Sequence, residues 1–268
     1  MKSKIRIYIY GILAFILMLG SIGVANTNKA TIQTNSSAAY SNTKIEWGIK
    51  RGNNHEQPDL GSKNIELIER YSGMAMGNKE SKNIYVTFDL GYEAGYTESI
   101  LNTLKQNNVP ATFFITAHYV NTASDLVQRM INDGHIIGNH TVNHKSMPEI
   151  TEEEIKDEVM KLHQAVYEKF GYEMKYIRPP KGEFSERTII TTNNLGYTHV
   201  MWSFAYVDWD EKNQPDEEKA KKTILDNLHN GEIILLHANS KTNANILDSI
   251  IKEIKAQEYE IRSLDEFK

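Results

Sequence analysis

Seven short runs of strand-forming residues recur along the chain: 84–88 (IYVTF), 111–115 (ATFFI), 135–138 (HIIG), 174–177 (MKYI), 197–202 (YTHVMW), 231–236 (GEIILL) and 259–264 (YEIRSL). Between most of them the apolar positions take up helical spacing. Leu126, Val127, Met130 and Ile131 share one face of 123–133, and Ile155, Val159, Leu162 and Val166 share one face of 151–170. Thr151 with Glu154 has the form of a capping box at the start of the second helix. Ser185 opens a further helix to Leu195, closed by Gly196, and the stretches 216–228 and 243–256 complete the set. Strands separated largely by helices predict an α/β fold with a parallel sheet. Doubly wound and barrel closures remain equally compatible with that pattern.

The polar residues fall at the ends of these runs. Asp89 ends the first and His118 follows the second. His140 and His144 follow the third, Arg178 the fourth and Asp208 the fifth, while His237 ends the sixth. In a parallel α/β arrangement such positions share one rim, the C-terminal face where active sites are built.

Each segment admits a chemical and a structural explanation. In GNHTVNH, His140 and His144 lie four apart, so on a helix both imidazoles would face one side and share a metal. The same spacing also arises by accident, and the Glu of the helical metalloprotease motif is missing. In YIRPPKGEF the prolines impose extended geometry on Arg178. A rigid guanidinium suits a carboxylate partner or an anion site, or a structural tie to a surface acid. Asp208 beside Trp209 has the makings of a carboxylate that orients a catalytic His or Arg, with an indole flanking a sugar. A loop with one buried Trp would look the same. His237 closes a very apolar strand, placed for proton transfer or as a satisfied core histidine. His135, His163, His199 and His229 read as structural, with His163 and His229 on helices; His55 and His118 stay open.

Composition narrows the partners. Residues 1–25 combine Lys2, Lys4 and Arg6 with a nearly uncharged apolar run from Ile7 to Val24 and the small residues Gly23 and Ala25. This reads as a secretory signal or, uncleaved, as an N-terminal anchor, the only membrane contact expected. Residues 26–44 are rich in Asn, Ser and Thr and read as a flexible polar linker before a domain at 45–268. There are no cysteines, so any metal site must use His, Asp or Glu. Without the three basic residues of the leader, 27 Lys and Arg stand against 35 Asp and Glu, a net charge of −8. That balance argues against a nucleic-acid partner and against gripping anionic polymers by bulk charge. A monomer is assumed.

Taken in order, TFDLG, HTVNH, RPPKG, DW and LLH resemble the five motifs of the polysaccharide deacetylase family, the NodB-homology or carbohydrate esterase family 4 domain. The resemblance spans roughly residues 80–265 and implies a distorted (β/α) barrel of seven to eight parallel strands. It implies removal of acetyl groups from N-acetylated amino sugars. It makes Asp89 the general base, His140 and His144 metal ligands, Arg178 the group that positions the base, and His237 the general acid. Asp208 and Trp209 border the site, and Tyr92 and Pro180 join Trp209 as expected substrate contacts. Family members mostly carry a second Asp after the first, completing an Asp-His-His metal triad. Leu90 stands there in this chain, so a divalent cation, Zn²⁺ by expectation, should be held weakly. The segment WGIKRGNNHEQPD (Trp47 to Asp59), FDLGYEAGYT and AYVDW resemble one branch, the muramic acid de-N-acetylases of the spore cortex, which also lacks that Asp. The branch implies action on peptidoglycan glycan strands in the route to muramic δ-lactam. A deacetylase of N-acetylglucosamine is the alternative, and a glycan-binding domain without catalysis a further one, suggested by Leu90.

Overall fold

In the computed structural model, which describes residues 40–268, every expected strand run contributes to one parallel sheet. In chain order the elements are β1 (Ile45–Glu46), α1 (Ser62–Arg70), β2 (Asn83–Leu90), α2 (Thr97–Gln106), β3 (Thr112–Ile115), α3 (Ala117–Thr122), α4 (Ser124–Asn132), β4 (Ile136–Asn139), α5 (Glu152–Phe170), β5 (Tyr176–Ile177), β6 (Glu183–Phe184), α6 (Glu186–Asn193), β7 (Thr198–His199), α7 (Glu217–Asp226), β8 (Glu232–His237), α8 (Lys241–Ala256) and β9 (Glu260–Ile261). The sheet runs β7-β5-β4-β3-β2-β8, with β9 added beside the start of β2. Beyond β7 the extended chain turns back toward β8. Val200 pairs with Met74 and Phe204 with Ile234, so the sheet curls into a half-barrel instead of staying open.

Strand alternation sorts the core into two layers. Ile84, Val86, Phe88 and Leu90 of β2 face outward into one apolar cluster that also takes in Ile100, Leu101 and Leu104 of α2 and the apolar stripe of α5. Tyr85, Phe114, Tyr176, Val200 and Ile233 fill the inside of the curl. The helices keep their caps: Thr151 and Glu154 form the reciprocal capping box of α5, and Ser185 caps α6.

Three helices, α1 to α3, and the antiparallel β1–β6 ribbon were not expected from periodicity. The ribbon pairs Ile45 with Phe184, and Trp47 with Phe184, Leu60, Ile68 and Met201 forms a separate apolar cluster beside the main core. Residues 41–44, expected in the linker, bond to the domain. Asn42 Nδ2 donates to the Pro148 carbonyl at 2.9 Å, and Lys44 Nζ lies 3.1 Å from Glu149. The expected signal or anchor and the rest of the linker lie outside the described residues. Among the described residues no helix is long and apolar enough to cross a membrane.

Candidate active site

Asp89 is the inward-facing residue before the end of β2, paired across the sheet with Phe114 of β3 and His237 of β8. Arg178, fully buried just beyond β5, reaches it through the interior. Its Nη1 donates to Asp89 Oδ1 at 2.8 Å, its Nε to the Val200 carbonyl at 3.1 Å and its Nη2 to the Met201 carbonyl at 3.2 Å. The guanidinium lies 4.3 Å over the Phe114 ring. Burial pushes the Asp89 carboxyl up, but Arg178, His140 and His237 together outweigh it and hold Asp89 below the usual carboxylate range. Asp89 is therefore an anion at neutral pH in a fixed orientation.

On the neighbouring strand, His237 is tied to Asp208. The Nδ1 of His237 donates to Asp208 Oδ1 at 2.7 Å, and its backbone N–H donates to Oδ2 at 2.8 Å. Asn243 Nδ2, from the first turn of α8, donates to the same Oδ2 at 2.6 Å. With Nδ1 committed, Nε2 is the atom left to face the cleft. Burial alone would lower the His237 pKa; the hydrogen bond and charge of Asp208, with Asp89 behind, raise it instead. The open choice between a His and an Arg as the partner of Asp208 is resolved in favour of His237.

The segment carrying His140 and His144 is a loop and not a helix, which corrects the geometric premise drawn from the four-residue spacing. Thr141 (φ 67°) and His144 (φ 56°) take left-handed backbone conformations that bring the two rings to 4.8 Å between centroids. Asn139 Oδ1 accepts the Thr141 N–H, Thr141 Oγ1 accepts the His144 N–H, and the buried Glu158 accepts both the backbone and side-chain amides of Asn143.

The donor chemistry fits a divalent cation. His140 gives its Nδ1 proton to the Arg178 carbonyl at 2.9 Å, which leaves Nε2 with a lone pair 3.6 Å from Asp89 Oδ2. Burial lowers the pKa of both imidazoles, His144 to about 4, so both are neutral at pH 7 as ligation requires. Among the described residues, however, no three His, Asp or Glu side chains form a ready-made ligand set. Leu90, where a third ligand was expected to be missing, is 1% exposed and packed in the outer core.

Asp89, His140, His144 and His237 line one cleft of about 1140 Å³, together with Tyr92, His118, Asn143, Lys181, Trp202, Tyr206, Trp209 and Asn239, while Arg178 and Asp208 are buried and hold their partners without joining the lining. Trp209 and Tyr92 stand exposed on it, and Asn239 links them by donating to the Tyr92 hydroxyl and the Trp209 carbonyl. Pro180, expected to touch substrate, is buried and not part of the lining; the turn it starts presents Lys181 and Gly182 instead. His118 borders the cleft from α3, whereas His55 bonds to the Leu228 carbonyl away from it. His135, His199 and His229 are buried, and His163 bonds to Tyr197. His229 lies between α7 and β8 and not on a helix. Asn243 and Glu158 carried no sequence signal, since each acts through a partner distant in the chain, and Lys181 stood inside the RPPKG segment without being assigned a role.

A polysaccharide deacetylase family model matches residues 76–200. Over 229 residues the chain is 42% identical to the peptidoglycan-N-acetylmuramic acid deacetylase PdaA of Bacillus subtilis, covering 85% of this chain and 87% of that one. This chain belongs to the polysaccharide deacetylase family. The solved structure of PdaA, a family 4 carbohydrate esterase, superposes with a TM-score of 0.82 over 85% of this chain and 97% of that one. A family 4 carbohydrate esterase from Bacillus anthracis, 40% identical, gives 0.73 over 85% and 98%. A peptidoglycan-N-acetylglucosamine deacetylase of Bacillus cereus is 31% identical over 71% of this chain and 70% of that one. The curled parallel sheet is the family's distorted (β/α) barrel. Family 4 enzymes are hydrolases and generally metal-dependent.

Proposed function

We propose that this chain is an exported, extracytoplasmic hydrolase that removes the N-acetyl group from N-acetylmuramic acid in peptidoglycan, in the route to the muramic δ-lactam of spore cortex. The observation that carries the reading is that Asp89 and His237, on adjacent strands, both line one cleft while Arg178 and Asp208 hold them from behind. The identity with PdaA supports the sugar.

Asp89 is the base that takes a proton from the attacking water. Arg178 holds it ionised and aimed, at the expense of some basicity. Water oxygen bonds to the acetyl carbon, and the resulting tetrahedral centre collapses with loss of the C–N bond. His237, protonated and kept so by Asp208, delivers its Nε2 proton to the departing nitrogen. Acetate and a free amine result. His140 and His144 would hold the divalent cation, Zn²⁺, which when bound polarises the amide carbonyl. With no third preformed ligand it should be held weakly. Trp209 and Tyr92 offer faces on which sugar rings stack.

The test is to supply glycan strands with and without stem peptides and to identify the deacetylated sugar and any lactam by mass spectrometry. Free muramic amine or its lactam is the expected product. Glucosamine as the sole product would favour the second reading, a glucosamine-directed deacetylase, which the Bacillus cereus relative makes the nearest competitor.

A further inference from the structure

Muramic acid differs from glucosamine by a lactyl ether that ends in a carboxylate. A chain with 35 acidic and 30 basic residues does not attract that group by bulk charge, so recognition falls to a local cation. Arg178 cannot serve, because it is fully buried with Nη1, Nε and Nη2 engaged inside the sheet. Arg51, from the segment before the barrel, bonds to the Ala205 carbonyl, lies over Phe204 and does not line the cleft.

Among the described residues, Lys181 is the only Lys or Arg that lines the cleft. Its side chain is exposed and joins none of the salt bridges or side-chain hydrogen bonds of the described residues. Its backbone is left-handed (φ 60°, ψ 6°), an unfavourable conformation for a residue with a Cβ. Pro179 and Pro180 on one side and Gly182 on the other impose it: Gly182 itself has φ 68°, and its N–H donates to the Pro179 carbonyl at 3.1 Å.

We propose that Lys181 is the specificity residue of this cleft, pairing its ammonium with the lactyl carboxylate of the muramic unit being deacetylated. The inference rests on the function proposed above. It predicts a preference for strands freed of stem peptide, because an amide in place of the carboxylate carries no charge to pair.

The experiment compares strands bearing free lactyl carboxylates with the same strands converted to lactyl methylamides. Affinity is measured by calorimetry, and kcat and KM by acetate release, for the wild type, Lys181→Met and Lys181→Arg. Wild type should favour the carboxylate strands, with a KM that rises with NaCl. Lys181→Met should raise that KM by about fivefold or more with little change in kcat, and lose the preference and the salt dependence. Lys181→Arg should keep the preference. Equal wild-type affinity for the two strands, a preference that survives in Lys181→Met, or an equal loss of kcat on both would overturn the proposal. A wild type that deacetylates only glucosamine units would instead overturn the parent reading, and the affinity comparison would still decide the role of Lys181.

Discussion

Asp208 accepts two hydrogen bonds from His237, one from the ring Nδ1 at 2.7 Å and one from the backbone N–H at 2.8 Å. A carboxylate held by the main chain of the residue it orients cannot swing away, and Asn243 closes the remaining freedom. The arrangement fixes the tautomer and rotamer of the imidazole and favours its protonated form.

Asp208→Asn should therefore lower kcat by about 10²- to 10⁴-fold, because the amide no longer stabilises the imidazolium. His237 acts as an acid, so activity is present below its pKa and lost as pH rises through it. Asp208 raises that pKa, and its loss should move the alkaline limb of the pH–rate profile to lower pH. An unmoved limb would rule His237 out as the titrating acid.

The Asp89–Arg178 pair is buried on both sides, and its members should not be separable. Asp89→Ala leaves an unpaired guanidinium and should cost about 3–5 kcal/mol of stability, read by urea titration. Asp89→Leu combined with Arg178→Met should recover much of that stability while remaining inactive. The folded Asp89 pKa is depressed, so the stability it contributes is present above its unfolded value near 3.8 and lost only as pH falls through the lower folded value. At neutral pH the pair is intact.

Histidines remote from the chemistry should govern stability in mild acid. Burial lowers His135 and His199 from 6.5 to about 4. Between those values the unfolded chain takes up protons that the folded imidazoles refuse. Stability should be full above about pH 6.5 and decline as pH falls toward 4. His199→Gln should show a shallower decline in urea midpoint between pH 7 and pH 5 than the wild type, whatever its stability at pH 7.

Gly182 is irreplaceable on two counts. Its φ is 68°, and a Cβ there would meet the Trp202 ring at 2.8 Å and Trp47 Cβ at 3.1 Å. Gly182→Ala should destabilise by about 1–3 kcal/mol in thermal or urea unfolding, with loss of activity as the Trp202 wall shifts.

Metal retention is the remaining check. Chelation should strip the cation readily and abolish deacetylation, and His140→Ala should do the same without chelator. Full activity after exhaustive chelation would contradict ligation by His140 and His144.

Much of this was legible in one dimension. Asp89, His140, His144, Arg178, Asp208 and His237 all stand at or just beyond strand runs, and a parallel sheet has only one end where such positions gather. Periodicity of 2 and 3.6 is a local property, so the strands, the long helix α5 and the rim could be read directly. What the folded chain alone decided are relationships between residues distant in sequence. Leu90 continues the outward alternation of β2 into the core, which no letter count reveals. His140 and His144 meet through left-handed turns braced by Glu158, not through a helix. Asn243, 35 residues beyond Asp208, locks it, and Pro180 turns inward while Lys181 turns out. Partner choice across the barrel depends on three-dimensional packing, and that exists only once the sheet has curled.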